Sequence, residues 1–420
     1  MFSAKRSLLG ILLLAILTRI IWAIAVPVDP VSDSNAYDVF AKNLASGFGY
    51  GWQPGKPTAY WPVGTSFIYS LFYRLLGHSY IPIVLFNIFL AIITILTTMY
   101  LANKWFGHRT AVLSGLFLAI WPGQVQFTTI LASELIFTAL VLVALAIWLT
   151  EAIALPMKTV LVGCVLAGAC YVKPLALLIP ILFWLFQYSK ERKLAKSLVS
   201  LVVMLGLMAV LIAPWSYRNY QAFEQFSLIS TNGGANFWMG NNPDSTGGYM
   251  PLPKAVKGMN EAAANDYLKD RAVQHIKEKP LLFVQRSIKR IFQTYGTETI
   301  GIAWNEKGLT SRFGQAVLLP LKLLSQLYWM LMLGLALLGA GLLCKRLTLW
   351  QWLTHPTILL WGYYIAVHAI IVSQDRYHYP SVPFIAILAG FSSTWAIARW
   401  LRRTQPAIVD ISAKRQQILR

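Results

Sequence analysis

The sequence predicts an all-α polytopic membrane protein, and three observations carry that reading. Hydrophobic residues make up 57% of the 420 and charged residues only 12%, about half the charged share of an ordinary soluble domain. Apolar windows of membrane-spanning length recur along the whole chain, which a soluble core does not require. The alternating segments of about ten residues that mark a membrane barrel are missing from the sequence.

Ten spans are expected, at roughly 8–26, 80–101, 110–122, 128–149, 158–171, 174–189, 197–216, 317–343, 356–372 and 381–401. The first begins after Lys5 and Arg6 and ends near Ala23-Ile24-Ala25, much as a signal peptide does. Its apolar run is long enough to span, and Arg19 interrupts it, so it reads as an uncleaved first helix (1–26). The third is short for a span and reaches into its flanks. The organisation that follows is a first outer segment at 27–79, the second to seventh spans within 80–216, a second outer segment at 217–313, three last spans within 317–401 and a basic cytoplasmic tail at 402–420.

Charge sets the orientation. With both termini cytoplasmic, the short inner pieces hold 17 cations, among them Lys104, Arg109, Arg192, Arg346, Lys414, Arg415 and Arg420, against three acids, Glu151, Glu191 and Asp410. The other 13 acids fall on the outer side or at its membrane edge. The net charge of +20 therefore reflects the positive-inside bias and not a nucleic-acid partner. Long connections are usually functional, which puts the working face outside. The three cysteines, Cys164, Cys170 and Cys344, lie in or beside apolar segments and read as small buried hydrophobes.

The first outer segment opens with VDPVSDSNAYDV. Asn35 to Ser46 reads as an amphipathic helix capped by Ser34 or Asp33, with Tyr37, Phe40, Ala41 and Leu44 on one face. Gly47, Gly49 and Gly51 stop it. Trp61 to Leu76 reads as a second, interfacial helix with Pro62 in its first turn. The Gly- and Pro-rich loop between them carries Trp52, Tyr60 and Trp61, which suit sugar faces or the lipid headgroup level. By position Asp33 is a helix cap; by chemistry it is also a candidate general base. Asp29 and Asp38 read as loop and helix-surface residues.

Glu134 sits at the outer start of the fourth span, where an ionisable group needs a partner or a polar cavity; a first-turn role complementing the helix dipole is equally open. Together Asp33 and Glu134 supply what a base-catalysed group transfer needs, one group to deprotonate an acceptor and one to orient it. Outer-edge cations suited to a phosphate are Lys173 in CYVKPLALL, Arg218 in PWSYRNY and Arg376 in QDRYHYP, the last beside His378. In the second outer segment SLISTNGGANFWMGNNPDSTGGYM supplies Asn232, Asn236 and Asn241, whose amides suit sugar hydroxyls. Glu261–Lys279 and Pro280–Tyr295 read as helices, with Arg286, Lys289 and Arg290 forming a basic stripe. There is no Walker loop, HExxH or GxSxG pattern, and the six His residues are too scattered for a metal site.

Five stretches in order, SDSNAYDVFAKNLASGFGY with KPTAYWPVG, ASELIFTALVLVALAIWL, GACYVKPLALLIP, APWSYRNYQAFEQFSLISTNGGANFWMGNNPDSTGGY and DRYHYPSVPFIAILAG, cover nearly the whole chain. They resemble the bacterial GT-C class membrane glycosyltransferases, in the protein-mannosyltransferase and aminoarabinose-transferase superfamily (glycosyltransferase family 39). Ser34 stands after Asp33 where many members have Glu, Lys173 stands where Arg is more usual, and Gly55-Lys56-Pro57 keeps the Lys and Pro of an aminoarabinose-transferase Glu-Lys-Pro without its acid. The resemblance implies an inner-membrane enzyme acting on the outer face, with a polyprenyl-monophosphate sugar donor and a glycan, lipid or protein acceptor. It implies inverting transfer with Asp33 as base, Glu134 beside it, and Lys173, Arg376, Lys56 and Arg218 as candidates for the donor phosphate. Tyr37, Tyr60, Trp61, Asn232, Asn236, Asn241 and His378 are the expected substrate contacts. No cofactor is called for. Two rival readings are a transporter or flippase of lipid-linked saccharide, for which inverted repeats are not evident, and a polysaccharide polymerase or ligase.

Overall fold

The structure is a computed structural model that describes residues 2–404. Most of the predicted basic tail, including Asp410, Lys414, Arg415 and Arg420, lies outside the described residues. Among those residues the fold is all-α, with a single isolated bridge between Gln53 and Lys56.

The apolar runs form α1 (Phe2–Ala25), and the first long segment then supplies α2 (Asp33–Ala45) and α3 (Gly64–Leu76). Next come α4 (Ile81–Phe106), α5 (His108–Ala119), α6 (Pro122–Gln126), α7 (Ser133–Leu149), α8 (Leu155–Val172), α9 (Ile179–Glu191) and α10 (Leu194–Phe223). The second long segment holds α11 (Gly233–Gly240), α12 (Glu261–Glu278), α13 (Pro280–Tyr295), α14 (Ile300–Trp304) and α15 (Glu306–Phe313). The chain closes with α16 (Leu318–Cys344), α17 (Leu349–Leu353), α18 (Pro356–Ile370) and α19 (Val382–Thr404).

Six helical runs are long and apolar enough to cross a membrane: α1, α4, α8, α10, α16 and Asp375–Leu401. A seventh is possible in the broken pair α5–α6, which bends by 48°. The remaining three expected spans are helical but shorter: α7 has 17 residues, α9 has 13 and α18 has 15. For α7 the reason is packing. It is buried along most of its length between α4 and α8, so it does not have to match the lipid on its own.

The break between α5 and α6 explains Arg19. Pro122 has no N–H to continue the ladder, and the end of α5 leaves free carbonyls. Buried Arg19 donates to Ala119 O at 2.9 Å, Leu118 O at 3.1 Å and Gln124 Oε1 at 2.7 Å. The cation that interrupts the first apolar run therefore closes the kink of its neighbour.

Both long segments fold over one end of the bundle. There α2 packs on α3, α3 on α8, α11 on α12 and α13 on α18. Gly64 opens α3 because a Cβ there would come within 2.6 Å of Tyr171 O. Trp61 and Pro62, expected inside this helix, precede it. Helix α10 runs to Phe223, past the expected membrane edge at 216, and carries Arg218 and Asn219 up into the segment that follows.

Candidate active site

Asp33 is the first residue of α2, and it does not cap the helix. The preceding residue, Ser32, makes no side-chain cap bond and has φ of 53°, a left-handed conformation unusual for a residue with a side chain. Ser34, the other expected cap, donates instead to Leu131 O at 2.8 Å. The carboxylate of Asp33 is left to face inward. Its Oδ2 accepts from Arg376 Nη2 at 2.5 Å and its Oδ1 from Trp61 Nε1 at 3.2 Å. Burial alone would raise its pKa; the Arg376 guanidinium, the bond from Trp61 and the nearby Lys173 outweigh that and hold it below the usual carboxylate range.

Glu134, the second residue of α7, is fully buried. Lys173 Nζ lies 3.0 Å from its Oε1 and Arg376 Nη1 lies 3.8 Å away. Lys173 is delivered by the break between α8 and the 3₁₀ turn Pro174–Leu178, where Pro174 forces the residue before it out of helical backbone. Arg376 comes from a second 3₁₀ turn, Asp375–Ser381. Its Nε donates to Gln374 Oε1 at 2.7 Å, and its guanidinium lies over the Trp304 ring at 4.5 Å. Asp375 anchors this turn by accepting from the backbone of Thr299 and Ile300, both at 2.9 Å, at the start of α14. Two carboxylates and two cations thus form one charge-balanced cluster.

The cluster forms part of the wall of a cavity of about 840 Å³, toward the upper end of the range for small-molecule sites. Asp33, Lys173 and Arg376 line it, as do the expected substrate contacts Tyr37, Tyr60, Trp61, Asn232 and Asn236. On one side Val172, Leu175, Leu177, Val367 and Ile371 make the lining apolar. Glu134 sits directly behind Lys173.

Other expected residues lie elsewhere. Lys56 is exposed on the Gln53–Lys56 turn, outside the cavity. Arg218 binds Thr58 O at 2.8 Å and Tyr50 O at 3.3 Å and rests on Trp215, tying α10 to the first segment. Asn241 is buried and bonds Phe237 O and Ile370 O, fixing the turn after α11. His378 is buried at 2.5 Å from Glu298 Oε2 and stacks on Trp329. The basic stripe on α13 is likewise structural: buried Arg290 reaches Gly240 O and Ala369 O, and Arg286 reaches Asn242 O, so the pair braces the Gly240–Pro243 turn. Asp38 corrects its surface reading. It is buried and gathers Tyr73, Tyr80, His78 and Lys42 around its carboxylate. Asp29 pairs with Lys307 at 2.6 Å.

Several lining residues were not among the expected site residues: His368, Gln374, Tyr377 and Tyr249. Gln374 and Tyr377 flank Arg376 and were findable by adjacency; His368 reads as one polar residue in an apolar span. No group of three or more His, Cys, Asp or Glu side chains placed to hold a metal ion occurs among the described residues.

The fold is that of a multi-pass membrane protein whose buried charge cluster stands on the wall of a cavity. Over most of its length it shares the fold of the oligosaccharyltransferase AglB from Archaeoglobus fulgidus. The structure of that protein with an inhibitory peptide and a dolichol-phosphate aligns with a TM-score of 0.55 at 13% identity, covering 96% of this chain and 52% of that one. Its structure with a tethered acceptor peptide gives 0.55 at 14% identity, covering 95% and 50%. The chain thus spans about half the length of this enzyme. ArnT from Cupriavidus metallidurans bound to undecaprenyl phosphate aligns at 0.46 and 16% identity, over 92% and 77% of the two chains. No curated protein sequence matched. Residues 61–217, which include Trp61, Glu134 and Lys173, match the family described as dolichyl-phosphate-mannose-protein mannosyltransferase. The match covers less than half of the chain and agrees with the resemblance read from the motifs.

Proposed function

We propose that the protein is an inverting glycosyltransferase that moves a sugar from a polyprenyl-monophosphate donor to an acceptor hydroxyl at the outer face of a bacterial inner membrane. The observation that carries this reading is the Asp33–Arg376 contact on the cavity wall, with Lys173 beside it. A base and two cations stand together there, as displacement of a lipid phosphate from a sugar requires.

In the proposed mechanism the donor's phosphate lies against Lys173 and Arg376, and its prenyl chain leaves across the apolar lining of Leu175, Leu177, Val367 and Ile371. Asp33 takes the proton of the acceptor hydroxyl as its oxygen attacks the anomeric carbon. The bond from that carbon to the phosphate oxygen breaks on the opposite face, and the electron pair leaves with the phosphate. Lys173 and Arg376 stabilise the charge that develops there. Glu134 holds Lys173 in place. The fold neighbour AglB was solved with a dolichol-phosphate, a lipid phosphate of the kind this reaction would release.

The topology we infer counts α7, α9 and α18 as crossings together with the longer helices and the α5–α6 pair. That gives ten spans with both termini cytoplasmic, as the charge bias requires, and the cavity outside.

The test is Asp33→Asn. Sugar transfer should fall by about 10²–10⁴-fold, while membrane insertion and donor-lipid binding stay intact. Full transfer activity in that variant would remove the base assignment. Movement of a lipid-linked sugar across proteoliposomes with no acceptor present would favour a transporter instead.

A further inference from the structure

The cavity has a second half that the donor does not account for. Its walls are residues 52–61 of the first long segment and 228–252 of the second. An aromatic surface leads outward from the base. Trp61 donates to Asp33, the Tyr60 ring meets Trp61 at 4.6 Å, and Trp52 meets it at 5.9 Å. Trp52 is 48% exposed and Tyr249 is 70% exposed, so the surface runs from the carboxylate to the mouth of the cavity.

Amides accompany the rings. Asn232 and Asn236 line the same half, with Ser230. Among the described residues, the Asn236 side-chain amide and the hydroxyls of Tyr60 and Tyr249 have no hydrogen-bond partner, and the Asn232 amide nitrogen has none either. The charged side chains on the whole cavity wall are Asp33, Lys173 and Arg376, all engaged in the cluster. The outer half therefore offers flat apolar faces and neutral donors and acceptors, with no free charge.

We infer that this half binds the acceptor and that the acceptor is a neutral carbohydrate. The inference rests on the glycosyltransferase reading above and narrows its substrate class. A pyranose presents an apolar C–H face, which suits an aromatic ring with its negative π-face. Its hydroxyls need partners once buried, and the unpartnered amides and hydroxyls provide them. An acidic glycan would find no cation in this half, because Lys173 and Arg376 face the donor phosphate. The described residues contain no strand whose edge an extended peptide could join. The acceptor hydroxyl at the inner end of the aromatic surface meets Asp33, loses its proton to it and forms the new bond to the anomeric carbon as the phosphate departs.

The experiment uses the full-length protein in nanodiscs free of glycoside detergent, with polyprenyl-monophosphate mannose as donor. Three acceptor probes are compared: dodecyl maltoside below its micelle concentration, a dodecyl glucuronide and a serine-containing hydroxyl peptide. Transfer to the maltoside should exceed transfer to either of the others by about tenfold or more, and Trp52→Ala and Asn236→Ala should each raise its KM by about tenfold while donor binding stays unchanged. Equal use of the peptide or the glucuronide overturns the inference, as do variants that weaken donor binding and acceptor KM alike. Equilibrium binding of the maltoside to Asp33→Asn separates the two claims. If it binds there but the wild type transfers nothing, the catalytic reading fails; if it does not bind, the carbohydrate site fails.

Discussion

Arg376 Nη2 lies 2.5 Å from Asp33 Oδ2, across 343 residues of sequence. The contact joins the first turn of α2 to the turn that precedes α19, so the two ends of the chain meet at the cavity wall. It also sets the base strength of Asp33. A carboxylate held this low is ionised across the neutral range, ready to accept a proton but weakly basic.

That relationship gives a signed pH prediction. In the wild type, kcat/KM should fall on the acid side only below the ordinary Asp value of about 3.9. Arg376→Gln removes the largest of the opposing influences on Asp33 and leaves burial to act, so the acid limb should move to higher pH. Arg376→Lys keeps a charge and should leave the limb low while weakening donor binding, because the bidentate fork is lost. A limb that stays in place in Arg376→Gln would show that Asp33 is not the titrating base.

Lys173 and Glu134 make a second prediction, one of stability. Glu134 is fully buried and its 3.0 Å contact is with Lys173. Lys173→Met leaves that carboxylate with a 3.3 Å bond from Ser133 Oγ and the 3.8 Å contact to Arg376 as its nearest cation, and should cost about 3–5 kcal/mol. The double variant Glu134→Gln/Lys173→Met should recover much of that loss, because no unpaired charge remains, yet it should not recover transfer. Thermal unfolding in detergent and a transfer assay on the same four proteins complete the cycle. Additive losses would show that the pair is not coupled.

The class of the fold was legible because membrane composition acts over whole segments; each expected span is largely helical, including those too short to cross alone. The candidates Asp33, Glu134, Lys173 and Arg376 were legible one by one, as charges at apolar edges. Their pairing was not, since nothing local in QDRYHYP names a partner in VDPVSDSN. Asp38 was misleading for the same reason, since the hydroxyls of Tyr73 and Tyr80 satisfy it, and the partner of Arg19 at the end of α5 was equally out of local view. Lys56 and Arg218 had the right charge, but their backbone positions direct them away from the cavity.

Asp38 carries an acid-stability prediction. Burial would raise its carboxyl, but Lys42, Tyr73 and His78 hold it below the usual range. A depressed folded pKa contributes stability that is present above the unfolded value of about 3.9 and is lost as pH falls through the folded value. Asp38→Asn should cost about 1–3 kcal/mol at neutral pH and flatten the acid side of the stability curve. Unfolding midpoints measured from neutral pH down to strongly acid pH report both. An unchanged acid slope would remove Asp38 from this role.

Glu261 is the clasp between the two walls of the outer half-cavity. Its carboxylate accepts from Thr58 Oγ1 at 2.5 Å and Ala59 N at 2.8 Å in the first long segment, and from Thr231 Oγ1 at 3.1 Å in the second. Substituting Gln keeps the shape but removes the charge that makes these bonds strong, and puts an N–H₂ where one donor must be faced by another. Glu261→Gln should therefore loosen Tyr60 and Trp61 against Asn232 and Asn236 while leaving Lys173 and Arg376 undisturbed. The expected result is a several-fold rise in acceptor KM with donor affinity unchanged, together with a loss of about 1–3 kcal/mol in stability. Glu261→Asp, which keeps the charge but is one methylene shorter, should fall between the two. If donor and acceptor binding fall together in Glu261→Gln, the halves of the cavity are not separable and Glu261 supports the whole site.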